Sequence, residues 1–264
     1  MTAINWASLS DALVRVERLT ESDSGLLSFG APQAGGIFVE RGRVCWVAVR
    51  GLGQRLRDLL LAHCNIDAAE LDRVSERCRT QGKLVGQTLV EEGRLRPAEL
   101  EIALRQHSAE CLLELCRDPL PTHWSSHAGR GYAPRFTFRA EDLLLDAVGV
   151  FFPQQQLAAR AELARLSALG HRAAAFVFDP ARECLLPVAA VGAPGVEALR
   201  SLGHWATSMP MVSRELAAEP TFSLASTEEG EAALVWWREG LLFAVSCDDR
   251  VSLAAATALH LACA

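Results

Sequence analysis

Gly36-Ile-Phe-Val-Glu-Arg-Gly-Arg-Val-Cys-Trp-Val-Ala-Val49 reads as a β-hairpin. Ile37, Val39, Val44, Trp46 and Ala48 recur at every second position and give one apolar face, while Gly42 supplies the positive φ that a tight turn needs. Downstream lies Gly82-Lys-Leu-Val-Gly-Gln-Thr-Leu-Val-Glu-Glu-Gly93, followed by Leu95-Arg-Pro-Ala-Glu-Leu100. There the period changes from two to that of a helix. Gly82 and Gly93 bracket a short helix over Leu84–Glu92, and Pro97 suits the first turn of a longer one reaching Arg117. A hairpin feeding a glycine-punctuated helical module sets the architecture of the first half: a small β-sheet carrying helices.

Working outward, Gly25–Phe29 reads as a strand, and Leu13, Val14, Val16 and Leu19 as a short helix or extended lead-in. Gly51 and Gly53 release the hairpin into a helix ending near His63, and Asp67 can cap Ala68–Arg79. Leu100, Leu104, His107, Cys111, Leu112 and Leu115 form the apolar stripe of the long helix, with Glu101 and Arg105 placed to pair on its wet face. Residues 118–134 predict a loop with one edge strand, Phe136-Thr-Phe138 a strand, and Glu141–Phe152 a helix. Pro153-Gln-Gln-Gln156 marks the expected domain boundary, giving domains 1–153 and 154–264.

The second domain predicts a helix over Leu157–Leu169 and strands over Ala173–Phe178 and Cys184–Val191. A helix over Gly195–Leu216, kinked by Pro210, comes next. Strands over Thr221–Ala225, Ala232–Arg238 and Leu241–Ser246, then a helix capped by Asp249, complete it. The fold class is α+β, with a five-stranded antiparallel sheet and helices in the second half.

A formal net charge of −6 on 264 residues argues against a general nucleic-acid binder, which needs a clustered cationic face. No run of about 18 apolar residues occurs, so no membrane-inserted helix is expected. The amino terminus lacks a secretory signal pattern, which points to a cytoplasmic location. The eight cysteines lie scattered through apolar stretches and read as buried free thiols.

No phosphate-cradling Gly-x-x-x-x-Gly-Lys-Ser/Thr loop, nucleophile elbow or His-Glu-x-x-His helix is present, and neither a catalytic residue nor a cofactor is expected. Cys111, Cys116, His123 and His127 form a C-x4-C…H-x3-H arrangement that could supply zinc ligands. The two cysteines fall on the apolar side of a helix, however, and core packing is the plainer reading. A metal- or ligand-binding sensor built on these four residues is the alternative function. A hydrolase using Cys64 or Cys247 is a third class, set against core packing near a helix end. For interaction, Arg41 and Arg43 are the expected exposed cations of the hairpin tip. Trp236 and Trp237, adjacent on a strand, must point to opposite faces, which makes one of them a candidate anchor.

Gly25-Leu-Leu27, Phe38-Val-Glu-Arg-Gly-Arg43, Val85-Gly-Gln-Thr-Leu-Val-Glu-Glu-Gly93 and Phe136-Thr-Phe138 resemble, in order, motifs of the bacterial DUF4388 (PATAN) family. That resemblance covers the first half and implies an interaction or regulatory domain of signalling and surface-motility proteins. The order helix, two strands, helix, three strands, helix resembles the roadblock/LC7 (longin-like) family over residues 157–264. Its signs are Ala173-Ala-Ala-Phe-Val-Phe-Asp179 and the small-residue segment Ser252-Leu-Ala-Ala-Ala-Thr-Ala258. This second resemblance implies a homodimer that regulates or anchors a small Ras-like GTPase. Where that family often has an Asp-x-x-Gly first turn, this chain has Asp179-Pro-Ala-Arg-Glu183. Together they imply a non-enzymatic bacterial signalling adaptor acting on a small GTPase, a response regulator, or a motility or pilus component.

Overall fold

Strand-period and helix-period stretches of the chain build an α+β protein with two antiparallel sheets. The computed structural model describes residues 5–30, 34–116, 122–129, 131–167, 172–181, 183–208, 222–226 and 232–247. By contacts the chain separates into two units, Met1–Leu143 and Leu144–Ala264.

In the first unit, α1 (Trp6–Glu17) is capped by Asn5, whose side-chain oxygen accepts from the Ser8 amide at 3.1 Å. Strands β1 (Gly25–Phe29), β2 (Gly35–Glu40) and β3 (Arg43–Val49) follow. Arg41 and Gly42 join β2 to β3 with φ of 52° and 69°, the two positive values of a two-residue hairpin turn whose twist matches its strands. Cys45 is the extra residue of a bulge, because Val39 pairs with Val44 and Phe38 already with Trp46. The bulge breaks the alternation expected along β3, so Val47 joins Ile37, Val39 and Val44 on the buried face, and Trp46 and Ala48 fall on the opposite one. The tip does not project. The Gly42 amide donates to the Asp23 carbonyl at 3.0 Å, the Arg41 amide to the Ser24 hydroxyl at 3.2 Å.

Helices α2 (Arg55–His63), α3 (Ala68–Gln81), α4 (Val85–Glu91) and α5 (Pro97–Leu115) form the helical module. Asp67 occupies the N-cap of α3 without a side-chain cap bond, and Gly82 ends that helix in the left-handed region. Gly86 lets α4 lie against α5, since a Cβ there would stand 2.8 Å from Leu100 Cδ1. Ion pairs Arg57–Asp72, Arg77–Glu92 and Arg94–Glu70 link the short helices across their wet faces. Exposed pairs of this kind contribute only about 0–1 kcal/mol each. The module therefore rests mainly on buried Leu59, Leu60, Leu71, Val74, Leu89 and Leu100.

The loop strand expected within residues 118–134 is β4 (Thr122–Ser126), which completes a sheet of order β3-β2-β1-β4. Phe136-Thr-Phe138 is not a strand. Pro134–Phe136 is a 3-10 turn, and of the segment only Phe138 bridges to Val44. Pro134 holds φ near the helical value and starts that turn, which leaves one residue extended beside β3. Glu101 pairs with Arg135 of this segment at 3.3 Å. The division between the units falls inside α6 (Ala140–Phe151), ahead of the Pro153-Gln156 stretch.

That stretch opens α7 (Pro153–Ser167), followed by β5 (Arg172–Asp179), β6 (Cys184–Val191) and α8 (Val196–Ser208). Strands β7 (Phe222–Ser226), β8 (Ala232–Arg238) and β9 (Leu241–Cys247) complete an antiparallel sheet of order β6-β5-β9-β8-β7. Ala173–Val177 and Leu241–Val245 are buried at consecutive positions, so the central strands β5 and β9 are covered on both faces. Asp179 fits its turn by accepting the Ala181 amide at 3.0 Å. The kink at Pro210 and the helix expected after Asp249 lie outside the described residues.

Gly42→Ala is expected to destabilise the first unit by about 2 kcal/mol, because a left-handed non-glycine residue costs about 1–2 kcal/mol before any clash. The clash is real here, since its Cβ would stand 2.9 Å from the Leu19 and Thr20 carbonyls. Gly51→Ala, with positive φ but open space, should cost less. Urea unfolding of the two variants checks the order.

Candidate interaction surfaces and a buried polar site

Strand register places the side chains of the first sheet. Leu27, Ile37 and Val47 lie directly opposite one another and are all buried. On the other face the row is Ser125, Leu26, Phe38 and Trp46, where the three large side chains are half-buried. The half-covered apolar row crosses three strands, β1, β2 and β3, and ends at the exposed Ser125 of β4.

The hairpin cations separate in role. Arg41 is exposed in the turn. Arg43 is not a free cation. Its Nε donates to Thr137 Oγ1 at 2.9 Å and a terminal nitrogen to the Thr137 carbonyl at 2.8 Å, so it clamps the segment after the 3-10 turn onto β3. Sequence placed it on the tip. The fold put Thr137 within its reach, and a fork of donors against a buried hydroxyl and carbonyl outcompetes water there.

Trp236 and Trp237 do point to opposite faces. Trp236 is buried and stacks on Phe243, its direct cross-strand partner, at 5.3 Å between ring centroids. Trp237 is half-buried opposite Leu242, and it is the tryptophan of the pair that keeps surface for a partner. The Trp205 and Cys247 side chains lie outside the described residues.

Cys111 and Cys116 sit on α5 and at its end, both fully buried, whereas His123 is exposed on β4 opposite Ser28. His127 follows β4, with Nδ1 donating to the Ala128 carbonyl at 2.8 Å. Among the described residues no three His, Cys, Asp or Glu side chains gather as a metal-holding group. Burial pushes the Cys111 and Cys116 thiols up to about 12, and a protonated thiol is a poor ligand and a poor nucleophile. Cys64, buried at the end of α2, is also raised by burial.

The buried polar site is centred on His107, a member of the α5 stripe. Its Nε2 lies 3.0 Å from the Val47 carbonyl, so that nitrogen carries the proton and donates. The Trp46 ring stacks on the imidazole at 4.3 Å, and Cys111 Sγ lies 3.6 Å from Nε2. One turn along, Glu110 accepts a forked pair of bonds from Arg55 of α2 and a third from Gln106 at 3.1 Å. The bond from Arg55 holds the Glu110 carboxyl below its usual range, and burial holds His107 below its own. A cysteine beside a histidine has the composition of a nucleophile–base pair. Here the imidazole is spent on a backbone carbonyl, the thiol is protonated, and both residues are closed to solvent. The chemistry available is structural: α5 is fastened to β3 and α2. Sequence placed His107 on the apolar stripe but carried no sign of its partners, which lie on other elements.

No protein-family model matches this chain, and no curated protein or solved structure matches it.

Two outcomes follow from the buried site. The unfolded chain protonates His107 near pH 6.5, before the folded imidazole does, so its contribution to stability is complete above that pH and declines below it. Unfolding free energy should start to fall as pH drops towards about 6.5 and go on falling until the folded imidazole itself takes a proton, and His107→Gln should flatten part of that fall. Cys111 and Cys116 should resist a disulfide reagent in native, mildly alkaline buffer and react on unfolding.

Proposed function

We propose that this protein is a non-enzymatic bacterial signalling adaptor, with a PATAN-like first unit and a roadblock-like, homodimerising second unit. The observation that carries the reading is the second unit's order, helix, two strands, helix, three strands, joined in one five-stranded antiparallel sheet. A small Ras-like GTPase is the partner this order favours. A response regulator or a component of a surface-motility or pilus complex is the partner suggested by the first unit. The half-buried row Leu26, Phe38 and Trp46 and the half-buried Trp237 supply the side chains such partners use, since aromatic anchors dominate protein interfaces.

The mechanism for a GTPase is conformational. A surface that binds one switch-loop arrangement better than the other shifts the equilibrium by its differential affinity alone. Among the described residues no helix is long and apolar enough to cross a membrane, in keeping with action through protein surfaces.

Pull-down of Ras-like GTPases loaded with GDP or a GTP analogue tests the reading. A preference of about fivefold or more for one nucleotide state, equivalent to about 1 kcal/mol of coupling, is the expected result. Equal or absent binding in both states removes the GTPase version. Trp237→Ala should weaken the interaction without unfolding the sheet.

A further inference from the structure

Four large hydrophobic side chains among the described residues are exposed: Ile102, Val150, Phe151 and Leu157. Ile102 stands alone on α5, and single exposed apolar residues are ordinary. The other three gather at the junction of α6 and α7, with exposures of 48, 37 and 73 %. Pro153 and Ala158 at the same junction are also exposed.

The junction is built. Gln156 Nε2 donates to the Leu145 carbonyl at 2.8 Å and to the Val188 carbonyl at 3.1 Å, tying α7 to α6 and to β6. Its amide lies so close over Gly149 that a Cβ there would stand 2.4 Å away. Val150 and Leu157 are the residues next to this pinned contact, one on each helix. Their exposure therefore belongs to a held corner.

Charge selects the occupant. Residues 147–159 contain no ionisable side chain. The charges that bound them, Asp146 and Arg160, pair with each other at 3.4 Å. The rest of the unit is anionic: residues 144–264 hold eight Lys and Arg against thirteen Asp and Glu, a balance of −5. A charged partner finds no complement at the corner. Two copies related by a two-fold axis place like surfaces together, and a neutral apolar patch is where two anionic copies meet without Coulomb repulsion.

We propose that the α6–α7 corner, centred on Val150, Phe151 and Leu157, is a self-association face on which the same corner of a second copy of this chain docks. It rests on the homodimer in the adaptor reading and names the surface for it. The test is sedimentation equilibrium of the full chain with no partner present, so a negative result here leaves GTPase binding to be judged separately.

The wild-type chain should dimerise at about 100 µM or below. Its dissociation constant should change little between about 50 and 500 mM salt, because the face carries no charge. Leu157→Asp should weaken the dimer about tenfold or more, by setting carboxylates together near the axis. An equimolar mixture of Leu157→Asp and Leu157→Lys chains should recover it as a heterodimer. Val150→Glu, with circular dichroism as the check on folding, replaces the first variant if that one loses native structure. A monomeric wild type, a dimer dissolved by salt, or a dimer indifferent to these substitutions would overturn the proposal.

Discussion

A strand at the edge of a sheet must find hydrogen-bond partners wherever water is kept from it, and this requirement organises the first unit. β3 ends the order β3-β2-β1-β4 yet has no exposed position. Its backbone is met by Phe138, whose amide and carbonyl exchange bonds with Val44 at 2.8 and 2.9 Å, and by the imidazole of His107 at Val47. Arg43 adds two bonds to Thr137 on the same segment. One strand edge thus recruits the 3-10 segment and the long helix. Burying His107 follows from that, and so does the neutral state it must keep.

In the second unit the same requirement is met by strand pairing. β5 is bonded to β6 on one side and to β9 on the other, which brings the last described strand against the first. Both central strands are then covered on both faces, and the surface open to partners moves to the periphery: Trp237 and the corner of α6 and α7. The chemistry-bearing residue types follow the same logic. Thiols on apolar stripes become buried and protonated, and the arginines of the helical module pair with neighbouring carboxylates.

Much of the fold was legible in local pattern. Alternation around Arg41-Gly42 and the glycines at 82 and 93 mark real turns and helix ends, because a positive φ is a local steric demand that few residues satisfy. Pro97 starts α5 for the same kind of reason. Phe136-Thr-Phe138 misled, since alternation over three residues also fits a turn followed by one bridged residue. Arg43 misled as an exposed cation, because its partner is distant in sequence. The α6–α7 corner carried no signal as a surface: Val150, Phe151 and Leu157 have the spacing of ordinary helical apolar residues, and only the packing of the helices leaves them exposed.

The sequence by itself determined most element types (the segment Phe136-Thr-Phe138 excepted), the hairpin turn, the helix boundaries set by glycine and proline, and the opposed faces of Trp236 and Trp237. These depend on φ, on period and on capping, all of which act over a few residues. Only the tertiary structure decided that Thr137 takes Arg43, that Val47 takes His107, and that Gln156 pins a neutral apolar corner outward. Those contacts join residues far apart in the chain, and no local preference specifies which distant backbone carbonyl or side-chain oxygen a donor will meet.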